Sequence, residues 1–256
     1  MSTIGKTLRL LDLFTSERSA IGLSEFQRLT GTSKATLHRH LQALLRAGFL
    51  EQDSRTSAYS LGPALSRLAA QREQGFSMRD TVKPVVDALS RKVAELVHVS
   101  VFDGQTMRAI YHAQHHDHGL RVQFEDAEFI PLHATSSGTA LAAFLPQSDW
   151  PRLMAPPLQE FTARTVTEPD AIVALLTQIR ARGHSEMSET RETGVSSIGA
   201  PIFDATGAPR AAISITYPTH RNDAVRARQA VQALRTAAAQ ITAAIGGATD
   251  PAVAAG

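Results

Sequence analysis

Within residues 30–50, TGTSKATLHRHLQALLRAGFL, four leucines fall at i, i+4, i+7 and i+8: Leu37, Leu41, Leu44 and Leu45. That spacing is one continuous stripe on an α-helix, so the segment must fold as a helix with a single buried side. Ser33 stands where an N-cap belongs. The remaining surface holds Lys34, His38, Arg39, His40 and Arg46 and no acid. At ~100° per residue Arg39 lies opposite the stripe with Arg46 beside it, and Lys34, Thr36, His38 and His40 flank that face. A helix dipole favours anions at this end, so cations gathered there cost free energy that an external anion would offset.

The flanking segments say what kind of unit carries this helix. KTLRLLDLFTS places Leu8, Leu10, Leu11 and Phe14 at helical spacing, which predicts a first helix. GLSEFQRLTG predicts a second, with Ser24 as N-cap, Leu23, Phe26 and Leu29 inward, and Gly31 ending it. After Gly48, FLEQDSRTSAYSL reads as two short strands around a polar tip of Asp53, Ser54, Arg55 and Thr56. Three helices followed by a hairpin make a winged helix-turn-helix, whose third helix enters the major groove while the wing touches the backbone. A solvated surface helix would also carry charge, but short helix, glycine turn, acid-free helix and hairpin agree in order. The expected partner is double-stranded operator DNA, met by Ser33, Lys34, Thr36, His38, Arg39 and His40 of the helix and Arg55 of the wing. Charge is divided accordingly: residues 1–75 hold ten Lys/Arg against six Asp/Glu, and the remainder sixteen against eighteen. One winged helix contacts too few base pairs for useful specificity, so at least a dimer is expected, with Leu8, Leu11, Leu65 and Leu68 offering apolar faces.

The chain has 256 residues, enough for two modest cores, and no cysteine, which excludes disulfides, thiolate metal sites and a cysteine nucleophile. LRLLDLF is interrupted by Arg9 and Asp12, and no uncharged apolar run approaches the ~18 residues of a membrane span, so a soluble cytoplasmic protein is expected. We expect a winged helix-turn-helix over residues 1–62, a linker helix over 63–75, a second domain over 76–246 and a flexible tail over 247–256. In the second domain LVHVSVF, Asp103-Gly104 and QTMRAIYH form a hairpin. TEPDAIVALLTQIRARG forms a helix capped by Thr167 and Asp170, with Pro169 in its first turn and Gly183 at its end. SSIGAPIFDATGAPRAAISITYP gives two strands around a Thr-Gly turn, and 223–245 a last helix. Strands and helices mix without βαβ alternation, so the fold class is α+β with a mainly antiparallel sheet.

No catalytic signature occurs: there is no G-x-S-x-G, Walker loop, G-x-G-x-x-G or H-E-x-x-H. His133, Ser136 and Ser137 are too close in sequence for a triad and lack an orienting acid. YHAQHHDHGL gathers His112, His115, His116, Asp117 and His118, which we read as a solvated loop tip where a strand ends. No enzyme activity, metal or cofactor is expected. In PLHATSSGTALAAF a turn of small polar residues opens an apolar helix, leaving amides from Ser136 to Thr139 beside two hydroxyls. This is a carboxylate cradle or, equally, ordinary helix capping.

TLRLLDLF, GLSEFQRLTGTSKATLHRHLQALLRAGFLEQD and YSLGPAL resemble the DNA-binding domain of the IclR family of bacterial transcription regulators. PLHATSSGTALAAF and GVSSIGAPIFDATGAPRAAISI resemble the two signature stretches of that family's ligand-sensing domain. The resemblance implies a regulator that is a homodimer or tetramer with a GAF-like effector-binding domain. It implies a pocket lined by Ser136, Ser137 and Gly138, by Ser197 where relatives often carry cysteine, and by Ser214 and Thr216. Met187 stands where relatives carry an acid. No cation lies among these positions, and Ile198, Ile213 and Ile215 are expected as their apolar neighbours. Such a pocket would hold a small organic acid, a carboxylate, through N–H and O–H donors. The alternative is a metabolite-binding or hydrolytic domain whose winged helix binds a protein.

Overall fold

The computed structural model describes residues 3–15, 18–75, 77–115, 129–155, 157–221 and 224–247. Its contacts divide the chain into two compact units, Met1–Phe76 and Ser77–Gly256.

The first unit is built from α1 (Thr3–Leu8), β1 (Ala20–Ile21), α2 (Leu23–Thr30), α3 (Lys34–Arg46), β2 (Leu50–Gln52), β3 (Tyr59–Leu61) and α4 (Pro63–Gly75). The strands form an antiparallel sheet in the order β1-β3-β2, so β1 adds an edge to the expected hairpin. Phe26, Leu37, Leu41, Leu44, Leu50 and Tyr59 make the core, with the Phe26 ring edge-on to Phe14 and to Tyr59. Each such side chain contributes ~1.5–3 kcal/mol by leaving water. Gly31 closes α2 in the left-handed region, at φ 65°, where a Cβ would be strained. Two local expectations fail. The first helix stops at Leu8 and continues as a 3₁₀ turn over Leu11–Leu13, whose tighter winding brings Leu10, Leu11, Leu13 and Phe14 onto the core and leaves Leu8 48% exposed. Gly22, not Ser24, caps α2, because Gly22 O receives the amides of both Glu25 and Phe26.

The second unit contains α5 (Met78–Val93), β4 (Leu96–Phe102), β5 (Met107–Gln114), α6 (Ser136–Ala142), α7 (Trp150–Leu153), α8 (Pro169–Arg182), β6 (Ser185–Ser188), β7 (Val195–Phe203), β8 (Pro209–Pro218) and α9 (Ala224–Ala244). Its five strands run in the order β5-β4-β8-β7-β6 with every pair antiparallel. One face, carrying Val97, Val99, Ile198, Ile213 and Ile215, packs on Val82, Val86 and Leu89 of α5 and Leu234 and Ile241 of α9. The other face meets α6, which lies in turn against α8. The helix α8 starts at Pro169 after Glu168 with no side-chain cap bond, so Thr167 and Asp170 do not cap it; Pro169, lacking an N–H, needs no such partner. Of the histidine cluster, His112 is on β5 and His115 follows it, while 116–118 lie outside the described residues, as does the tail from 248. Among the described residues no helix is long and apolar enough to cross a membrane.

Candidate DNA-reading face and ligand cavity

The α3 stripe folds as its spacing requires: Leu37, Leu41 and Leu44 are buried, and Leu45 packs at the margin. Ser33 caps the helix by accepting from the Thr36 amide, and its hydroxyl donates to Thr36 Oγ1 at 3.1 Å. Lys34, His38, Arg39 and Arg46 are all exposed, and neither Lys34 nor the two arginines pair with a described acid. At the wing tip, the Asp53 carboxylate accepts from the amides of Arg55 and Thr56, both at 2.8 Å, and these bonds hold its pKa below the ordinary value. That turn leaves the Arg55 side chain exposed.

His40 departs from expectation. It is 8% exposed, and its Nδ1 shares a hydrogen bond with Thr7 Oγ1 of α1. Position 40 sits about 60° from Leu37 on the helix wheel, at the edge of the stripe, and α1 covers that edge. His40 therefore belongs to the helix interface, not to the DNA-facing set.

In the second unit the strand register assembles a polar row. Ser197 pairs with Met187 of β6 on one side and with Thr216 of β8 on the other. One row along, Gly199 pairs with Ser185 and with Ser214, and Ser214 pairs with His98. Glycine at 199 is a steric requirement, since a Cβ there would lie 2.3 Å from Ser136 O, and only its absence lets the start of α6 rest on the sheet. The result is a cavity of about 140 Å³ bounded by Ser136, Ser137, Met187, Ser197, Ser214 and Thr216 together with His98, Thr135, Thr190 and Arg191. Met187 is buried and supplies apolar wall with Ile130 and Pro131.

Three expectations about this pocket are overturned. Gly138 does not line it: its hydrogen faces Pro131 O, which a Cβ would approach to 2.5 Å, so its role is close packing under the preceding loop. Ile198, Ile213 and Ile215 alternate away from the polar row and belong to the core beneath α5 and α9. The cradle of four free amides is half occupied, since Gly138 N donates to Thr135 Oγ1 and Thr139 N to Thr135 O.

Four of the hydroxyl protons lining the cavity are committed. Ser214 donates to Ile198 O at 3.0 Å; a serine has one proton, so the 2.7 Å contact between Ser136 and Ser214 is a donation from Ser136. Thr135 donates to Pro131 O and Thr190 to Ala134 O, each at 2.8 Å. His98 Nε2 stands 3.4 Å from Ser137 Oγ. Burial, with a smaller push from His112, lowers the His98 pKa to about 3, so the imidazole is neutral at physiological pH.

Neither His98 nor Arg191 was expected at the cavity. His98 left a trace in LVHVSVF, a polar residue on the side of the strand opposite Val97 and Val99. Arg191 left none. Its guanidinium stacks 4.2 Å from the Phe161 ring centroid at the rim, where the cavity adjoins a wider cleft of about 540 Å³ lined by His133, Phe161 and Gln159. His133 there bonds Gln159 O at 2.9 Å. Among the described residues no three His, Asp or Glu side chains gather as a metal site.

A winged helix with an exposed cationic face, in one chain with an antiparallel α/β unit that encloses a polar cavity, is the plan of a DNA-binding transcription regulator. Residues 3–54 match the model of the IclR helix-turn-helix domain, and residues 69–243 match that of the bacterial transcriptional regulator IclR C-terminal domain. The chain belongs to the IclR family of bacterial transcription regulators. It is 29% identical to the regulator KdgR of Escherichia coli, over 96% of this chain and 93% of that one. It is 32% identical to the glycerol operon regulatory protein of Streptomyces coelicolor, over 86% of each. An IclR-type regulator solved from Silicibacter sp. TM1040 superposes with a TM-score of 0.90 at 36% identity, covering 98% of both chains. An IclR homologue from Microbacterium hydrocarbonoxydans, solved in complex with 4-hydroxybenzoate, gives 0.60 at 25% identity, covering 95% of this chain and 99% of that one.

Proposed function

We propose that a small organic acid bound in the cavity beneath α6 controls how tightly this regulator holds its operator. The observation that carries the reading is the convergence of Ser136, Ser137, Met187, Ser197, Ser214 and Thr216, from separate stretches of chain, on one enclosed space with Arg191 at its rim. The solved IclR homologue holding 4-hydroxybenzoate supports the same ligand class. Met187, in place of an acid, suits an apolar or aromatic portion of the ligand.

On the DNA side, Arg39 is the base reader, since its guanidinium fork matches guanine O6 and N7. Lys34, His38 and Arg55 hold phosphates, and Ser33 and Thr36 order the helix start. The chain acts as a homodimer or tetramer on paired half-sites.

Operator binding to the DNA upstream of the gene, measured by fluorescence anisotropy with and without a panel of small carboxylates, tests this reading. An effector should change operator affinity by ~5–150-fold, the usual range for coupled sites. Ser197→Leu should abolish that response by filling the cavity. Arg39→Ala should lose ~1–3 kcal/mol of discrimination between operator and mismatched DNA, whereas Lys34→Ala should weaken both alike. A Ser197→Leu protein that responds like wild type puts the effector elsewhere.

A further inference from the structure

We infer that the effector is a carboxylic acid with an apolar tail, its carboxylate in the cavity beneath α6 and its tail, acyl or aryl, laid in the wider cleft beside Phe161. This rests on the organic-acid reading above and assigns the chemistry of the rest of the ligand.

The wall shared by the two spaces carries the inference. Phe129, Pro131 and Arg191 bound both the cavity and the cleft, so a ligand seated in the first continues into the second. The cavity alone is about 140 Å³, below the ~300–1,000 Å³ of most small-molecule sites, and the cleft of about 540 Å³ brings the space into that range. Donors and charges decide which end goes where. Among the described residues the Ser136 and Ser137 amides and the Ser197 and Thr216 hydroxyls are uncommitted donors on the cavity wall. At the mouth Arg191 stands beside Glu192, whose charge offsets its own, so the anion gains more from the donors within.

The cleft has the opposite character. Leu132, Leu153 and Leu158 pack on the core yet stay half-buried, and their remaining surface lines the cleft together with Phe161 and the exposed Phe129. Its polar side chains are turned to partners of their own. His133 Nε2 donates to Gln159 O at 2.9 Å, Thr106 Oγ1 donates to Asp103 at 3.0 Å, and the Arg191 guanidinium lies 4.2 Å from the Phe161 ring centroid. A polar ligand group would give up water there without gaining a partner, whereas hydrocarbon would cover exposed carbon.

The experiment is calorimetry on the full-length protein with an acyl series, butyrate, hexanoate and octanoate, and an aryl pair, benzoate and 4-phenylbenzoate. A methylene carried from water into an apolar site contributes about fourfold in affinity. In at least one series the longest member should therefore bind about tenfold or more tighter than the shortest. Leu158→Glu sets a carboxylate in the cleft wall and should cut that gain to about threefold or less while the short acid keeps its affinity. Ser197→Leu, which fills the cavity, should abolish binding of both. Thermal melts verify that the variants are folded, and the wild-type series with Ser197→Leu decides the matter if Leu158→Glu is not. No gain with length, a gain retained in folded Leu158→Glu, or a long acid that still binds Ser197→Leu while the short one does not, overturns the assignment of the tail and leaves the acid effector standing. Failure of all five acids to bind wild type overturns both.

Discussion

Replacing Gly199 by alanine adds one methyl at the point where α6 rests on β7. The new Cβ would lie 2.3 Å from Ser136 O, 2.5 Å from Ser136 C and 2.9 Å from Ser137 N, all backbone atoms with no rotamer to turn aside. Ordinary carbon–oxygen contact begins near ~3.3 Å, so the helix or the strand must recede by about 1 Å. Overpacking of this kind costs ~1–3 kcal/mol. For a unit of this size each kcal/mol lowers Tm by about 2–4 °C, which predicts a fall of roughly 2–12 °C in the transition of the second unit. The same displacement moves Ser136 relative to Ser214, so the 2.7 Å bond between them should break and ligand affinity should fall with it. Differential scanning calorimetry of the variant checks the first effect and ligand titration the second. An unchanged transition with unchanged ligand binding would refute the claim that glycine at 199 is what allows the helix its seat.

His40→Ala should lower the stability of the winged-helix unit by ~1–3 kcal/mol through its lost packing and the lost bond to Thr7, without relaxing operator sequence preference; chemical denaturation and mismatch binding read the two effects separately. The second unit should lose stability on acidification, since His98 has a folded pKa of about 3 against 6.5 when unfolded. The unfolded chain binds the extra proton throughout that window, so the contribution is intact above the unfolded value and declines by up to about 1.4 kcal/mol per pH unit below it. His98→Gln should flatten that slope in melts between about pH 7 and pH 5.

How much of the molecule was legible follows from the range of the forces involved. Apolar periodicity, caps and turn residues act within a few positions of one another, so the recognition helix, its Ser33 cap, the Gly31 turn and the Asp103-Gly104 hairpin could be read in order from the chain. Family motifs pointed to Ser136, Met187, Ser197, Ser214 and Thr216, and strand pairing brings them together. What periodicity could not decide was which neighbour covers the edge of a stripe. His40 looked like part of a basic face until α1 lay across it. Gly138 looked like a ligand contact until the loop at Pro131 filled the space before its hydrogen. Ile198, Ile213 and Ile215 were apolar by alternation, but only the positions of α5 and α9 determine that their face is the core. Arg191 reaches the cavity from the turn between β6 and β7, through packing on Phe161 distant in sequence. The direction of the Ser136 proton depends on a serine 78 positions away and on the carbonyl of Ile198, a three-body relation that no local pattern encodes. The sequence by itself determined which residues are apolar, charged or hydroxylic and how each segment winds; tertiary packing decided which of those groups meet, and therefore which hydroxyls still have a proton to give.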